Sequence, residues 1–179
     1  EQHKEPTHDV LKYPGNIYKW IFGGTFPAPP EETAEAEVVR KALSWLESAD
    51  ANRPFFLRVS FNGPHTPVVP PKPFDRIIEQ DDIALPEETE SLPEASPKWL
   101  SDELMKCSDA SLLQSEQMRK MRQYYYGEVA FLDSLFGDVL DWMSGRHYLD
   151  NTIVVYTSDH GTHLGDFGLV QKQTFFDPV

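Results

Sequence analysis

Two short apolar runs, each ending abruptly in a polar turn, constrain this chain more than any other feature. Phe55-Phe56-Leu57-Arg58-Val59-Ser60-Phe61 is almost continuously aromatic, aliphatic or β-branched and passes directly into Asn62-Gly63-Pro64-His65-Thr66-Pro67. Thr152-Ile153-Val154-Val155-Tyr156-Thr157 behaves in the same way and passes into Ser158-Asp159-His160-Gly161-Thr162-His163. Runs of this kind suit strands covered on both faces, as in a parallel sheet. Between them Val129, Leu132, Phe136, Val139, Leu140 and Met143 recur at helical spacing. They predict a long helix from about Ser111–Ser115 to Ser144, with Gly145 at its C-cap. Strand, helical crossover and strand make a βαβ unit, so the fold class expected is α/β, a mostly parallel sheet flanked by helices. Open parallel sheets bind ligands just beyond the carboxyl ends of their strands. Both polar turns would then lie on one edge of the sheet.

The rest of the chain is less regular. Thr33 is a plausible N-cap for a helix carrying Val38, Val39, Ala42, Leu43 and Leu46, which Asn52-Arg53-Pro54 ends. Residues 1–32 hold Pro, Gly and aromatics without a sustained period and read as irregular surface chain. Residues 62–110 read as a long loop or insertion whose acids (Asp81, Asp82, Glu87, Glu88, Glu90, Glu94) face water. Residues 111–179 carry the helix, the second run and its turn. A length of 179 residues suits one domain.

Composition narrows the partners. A formal charge of -13 argues against nucleic acid or an anionic membrane surface, since both need a basic face. The single Cys107 excludes an internal disulfide framework and any multi-cysteine metal site. No apolar run is long enough to span a membrane. The first residue is Glu1 rather than Met, which suggests processing or truncation, so the lack of a signal peptide says nothing of location. An acidic chain that handles an anion must gather positive charge locally, from a metal or a few placed cations.

Asp159 and His160 can both ligate a divalent cation from a strand end, with Gly161 permitting a tight turn. A bare Asp-His pair also reads as a turn cap beside a loop histidine. His65 sits between Gly63-Pro64 and Thr66-Pro67, whose prolines stiffen the backbone and would aim a general acid, although a rigid turn histidine is often structural. Lys172 alone reads as a surface lysine. Tyr13, Tyr18, Trp20 and Trp99 could stack on a sugar ring or simply pack.

Taken in order, three elements resemble the sulfatase family of the alkaline-phosphatase superfamily. They are Gly63-Pro64-His65-Thr66-Pro67 after a buried run, the helix entry Tyr124-Tyr125-Tyr126-Gly127-Glu128-Val129-Ala130-Phe131-Leu132-Asp133, and Ser158 to Leu169 followed by Lys172-Gln173-Thr174-Phe175-Phe176. The resemblance implies Asp159 and His160 as metal ligands, for calcium above all, with manganese or magnesium possible. It implies His65 and Lys172 as catalytic, substrate-binding residues that contact the sulfate and the leaving-group oxygen. His163 carries no implied role.

Sulfatases use a formylglycine made from the Cys or Ser of a Cys/Ser-x-Pro-x-Arg motif. Cys107 lacks Pro and Arg at the required positions, and Ser91-Leu92-Pro93-Glu94-Ala95 has Ala95 in place of Arg. The chain therefore reads as an internal fragment of a sulfatase catalytic domain, truncated at both ends, with the nucleophile in the missing N-terminal part. The parent is expected to cleave a sulfated small molecule or carbohydrate in the periplasm or outside the cell, and the fragment alone to be inactive and prone to self-association. A phosphodiesterase or phosphonate hydrolase of the same superfamily, and a non-catalytic sulfatase-like binding protein, are the alternatives.

Overall fold

A computed structural model of the chain describes residues 8–14, 21–50, 52–86, 97–98, 102, 108–172 and 174. Cys107, the acids from Glu87 to Glu94, and Tyr18, Trp20 and Trp99 lie outside the described residues. The regular elements are β1 (His8–Lys12), β2 (Ile21–Thr25), α1 (Ala34–Ser48) and α2 (Ser115–Ser144), joined by short 3-10 turns.

The spine is α2, whose 30 residues extend about 45 Å at 1.5 Å per residue. It starts where Gln117 Oε1 accepts the Gln114 N–H (3.0 Å) and ends at Gly145. Its amino-terminal half buries Met118, Met121 and Tyr124 against Leu11, Tyr13, Phe22, Val68, Leu164 and Val170. Its carboxyl-terminal half buries Phe131, Leu135, Val139 and Met143 against Ala36, Val39 and Leu46 of α1. The Thr33 hydroxyl caps α1 by accepting the Ala36 N–H at 3.1 Å, as the sequence predicts. Val129 belongs to the predicted stripe but is exposed, because the helix is turned to bring Glu128 inward instead.

Residues 1–32 are not merely surface chain. β1 and β2 pair antiparallel and bury Leu11, Phe22 and Thr25. The strands are five residues each and their register is interrupted, too short and irregular for an alternating pattern to emerge. Tyr13 is core, its hydroxyl donating to the Asp109 carbonyl at 2.7 Å, and does not stand ready to stack on a ligand. The start of the 62–110 connection is likewise built in. Val68 donates to Phe22 O (2.7 Å) and accepts from Gly24 N–H (3.0 Å), lying parallel beside β2. Gly23 makes that approach possible, since a Cβ there would sit 2.3 Å from the Val68 oxygen.

The two apolar runs differ most from expectation. Neither joins a ladder among the described residues, where the sheet is the two-stranded β1–β2. Residues 55–61 alternate half-buried and exposed, with Phe55, Leu57 and Phe61 packed on the α1–α2 core and Phe56 90% exposed. In the second run Tyr156 meets Phe136 of α2 at 5.2 Å, while Ile153 is 91% exposed. Each run thus has the helix on one side and, among the described residues, no strand neighbour. Period and composition register apolar character, but a ladder requires hydrogen-bonding partners as well.

Candidate active site

The turn after the second run is made by a chain reversal. His163 N–H donates to Gln171 O (3.0 Å), Leu164 N–H to Val170 O (3.2 Å) and Gly165 N–H to Leu169 O (2.7 Å). Gly165 (φ 107°) and Gly168 (φ 72°) take the left-handed conformations the tip needs. Two buried groups hold the reversal in place. The Ser108 hydroxyl accepts the Val170 and Gln171 N–H groups (3.0 and 2.7 Å). Arg122 of α2 donates to Leu164 O (2.9 Å), Ala84 O (2.8 Å) and Asp166 Oδ1 (2.7 Å).

This reversal returns Lys172 to the point where the turn began. Lys172 Nζ stands 3.1 Å from His160 Nε2, and Asp159 Oδ2 is 3.7 Å from that same nitrogen. His160 Nδ1 lies 2.7 Å from the Gly161 carbonyl. A carbonyl only accepts, so Nδ1 carries the proton and Nε2 presents its lone pair. Asp159 Oδ1 accepts the His160 N–H (2.9 Å). That bond first, with the nearby Lys172 ammonium adding to it, holds the exposed Asp159 carboxyl below the usual carboxylate range.

The structure therefore gathers Asp159, His160 and Lys172 but leaves His65 on a separate turn. His65 Nδ1 donates to Thr66 O at 2.7 Å, which directs Nε2 outward. No hydrogen bond or ion pair joins it to the other three among the described residues. His163, adjacent in sequence, is fully buried, with Nε2 2.7 Å from Thr174 Oγ1. Burial lowers its pKa, in keeping with a core imidazole.

As metal ligands Asp159 and His160 fit in kind. An imidazole whose far N–H is held by a carbonyl presents the right nitrogen, and the carboxylate oxygen lies near it. In number they are only part of a set. Among the described residues no three His, Cys, Asp or Glu side chains are placed to hold one ion, whereas calcium takes six to eight ligands. A polar cleft of about 320 Å³ lies elsewhere, lined by Asp9, Asp75, Arg76, Glu79, Lys120 and Tyr124. None of the predicted site residues reaches it, and Asp9 is committed to Arg76 at 2.8 Å.

Sequence reasoning missed Ser108, Arg122 and Glu128. The last two left a signal: each is a charged residue on the buried face of a long helix, a placement that requires a partner or a function.

Comparison with known proteins bears on the family and the fold. The family model described as Sulfatase matches residues 4–177. Iduronate 2-sulfatase of Mus musculus is 32% identical over 161 residues, 83% of this chain and 28% of that protein. Choline-sulfatase of Rhizobium meliloti (strain 1021) is 32% identical over 137 residues, 75% of this chain and 27% of that protein. The chain thus spans little more than a quarter of the length of these curated relatives. The solved phosphonate monoester hydrolase of Agrobacterium radiobacter superposes with a TM-score of 0.72 at 26% identity, covering 86% of this chain and 32% of that one. The architecture is accordingly the α/β fold of the alkaline-phosphatase superfamily.

Proposed function

Because the chain belongs to the sulfatase family, we propose that it forms the metal- and sulfate-holding part of a sulfuric ester hydrolase acting on a sulfate monoester. The observation that carries this reading is the return of Lys172 to within 3.1 Å of His160 beside Asp159. It concentrates cationic and ligating groups at one point of a chain whose net charge is -13.

Cleaving a sulfate ester leaves an anionic sulfuryl group to hold and builds negative charge on the departing oxygen. Lys172 supplies a mobile ammonium for the sulfuryl oxygens. His65, with Nδ1–H tied to Thr66 O, offers Nε2 to the leaving oxygen and in its protonated form donates there. Asp159 and His160 would hold the divalent ion, calcium in the first instance and manganese or magnesium otherwise. When bound, that ion acts as a Lewis acid on the anionic ester. The nucleophile, a formylglycine, and the remaining ligands are proposed to lie outside these residues, together with the strands that would flank residues 55–61 and 152–157. Sulfated small molecules or carbohydrates are the proposed substrates. A periplasmic or extracellular location follows from the same reading, and no described helix is long and apolar enough to cross a membrane.

The superposition on a phosphonate monoester hydrolase favours one second reading, an ester hydrolase for phosphonates or phosphodiesters on the same scaffold. The test is hydrolysis of 4-nitrophenyl sulfate against 4-nitrophenyl phenylphosphonate by the full-length gene product. Preferential sulfate cleavage, lost on Lys172→Ala, is the expected result; preferential phosphonate cleavage establishes the second reading. No turnover of either by a metal-loaded protein would leave a non-catalytic binding role.

A further inference from the structure

Glu128 is 6% exposed, on the inner face of α2, and its Oε2 is fully buried with no hydrogen-bond partner among the described residues. The carboxyl lies beneath the turn that carries His65. A Cβ on Gly63 would fall 2.8 Å from Glu128 Oε1 and 3.4 Å from Cγ, so the turn enters in direct contact with this side chain. The turn leaves the same way, with the Val69 backbone N–H hydrogen-bonded to the carboxyl. One side chain thus touches the chain on both sides of His65. On either side of Val69 the segment is fixed, Val68 on β2 and Pro70 by the Phe26 N–H; before the turn, residues 55–61 rest on the core.

We propose that Glu128 is a positioning residue, whose carboxyl clasps Gly63 and Val69 and so sets the direction in which the turn presents the His65 imidazole. The charged group that acts on it is Glu35 at the start of α1, and its negative charge opposes a second one nearby. The turn contributes the neutral Gly63 and the Val69 amide, and α2 itself contributes the apolar Leu132. Burial first, and Glu35 next, push the carboxyl up to about 8. At neutral pH it is therefore protonated, and the clasp holds without a charge on an oxygen that no donor reaches. Ionisation on the alkaline side places a charge on a buried carboxyl facing Glu35 and loosens the turn.

The catalytic meaning rests on the reading of His65 as facing the sulfate ester; the structural test does not. In the full-length protein labelled with 13C and 15N at histidine, the His65 ring signals are followed from pH 6 to 9.5. The expected result is a step near pH 8 that is absent in Glu128→Gln, which keeps the neutral shape. Glu128→Ala, or Glu128→Asp should the alanine variant not fold, broadens the His65 signals at every pH. In turnover, Glu128→Gln retains kcat within about twofold but loses the alkaline limb, while Glu128→Ala lowers kcat about tenfold with KM little changed. A step that persists in Glu128→Gln, or His65 signals unmoved in all variants, overturns the proposal. A protein that cleaves no ester but shows the step refutes the sulfatase reading and leaves the clasp standing.

Discussion

The Lys172 ammonium donates to His160 Nε2 across 3.1 Å, twelve residues apart in sequence, so it occupies the lone pair that a metal would need. The Gly161 carbonyl engages the other ring nitrogen and fixes this arrangement. A divalent ion must therefore displace Lys172 to reach His160, and among the described residues it finds only Asp159 beside it.

Metal affinity of the 179-residue chain should accordingly be weak. Two ligands of the six to eight that calcium takes imply a Kd above about 1 mM. Titration calorimetry measures it, and the 15N shift of His160 Nε2 should move together with Lys172 Nζ as the ion enters. Asp159→Ala abolishes the response. Because the His160 N–H holds Asp159 below the ordinary carboxylate range, its carboxylate stays charged and able to ligate at neutral pH. Micromolar binding would mean that this chain holds ligands the described residues do not show.

The raised pKa of Glu128 makes a stability prediction with a definite sign. The folded carboxyl titrates at about 8 against 4.5 for an ordinary glutamate, so between those values the folded state binds more protons than the unfolded one. Stability is then greatest below about pH 4.5 for this group and falls as pH rises through 8. At about 1.4 kcal/mol per unit the loss is on the order of 5 kcal/mol across the window. Glu128→Gln should flatten that slope and raise the Tm at pH 8. Melting curves at pH 5, 6, 7 and 8 decide it, and parallel slopes for the two proteins would refute a buried neutral carboxyl.

What could be read in the sequence was what depends on local periodicity. The α2 span and the Thr33 cap follow from helical spacing and a hydroxyl before an apolar stripe. Asp159, His160 and Lys172 were nominated through a motif, and the reversal at 163–171 that brings them together rests on Ser108 and Arg122, residues remote in sequence. Such long-range hydrogen bonds leave no period to detect. β1 and β2 were invisible for a related reason, since five-residue strands with an irregular register owe their pairing to Val68 and the core rather than to alternation. The two apolar runs were legible as strand-like composition, but pairing is a property of neighbours.

Arg122 should be the residue on which the Lys172 turn depends. Its guanidinium is 10% exposed and bonds Leu164 O, Ala84 O and Asp166 Oδ1 from one planar fork. Arg122→Ala leaves those acceptors without their donor and should cost about 2–4 kcal/mol in urea unfolding. Asp166, at 30% exposure, is partly solvated and keeps the loss from being larger. Arg122→Lys should recover little, since a point ammonium cannot span three acceptors. A change under about 0.5 kcal/mol for Arg122→Ala would show that the turn does not depend on Arg122.

The exposed apolar runs should make the isolated chain self-associate. Phe56 is 90% exposed, Ile153 91%, Val155 77% and Tyr156 69%, far beyond what scattered surface residues need explain. Around them the backbone lacks ladder partners among the described residues, so apolar surface and unpaired backbone donors occur together. Replacing Phe56 and Ile153 by lysine places charge on side chains that the helices do not cover. Core packing through Phe55, Leu57 and Phe61 is untouched. Sedimentation velocity should therefore show concentration-dependent oligomers for the parent sequence and mainly monomer for the double variant, with the Tm changed by no more than a few degrees. A parent chain that stays monomeric at high concentration would show that these runs are satisfied without a partner.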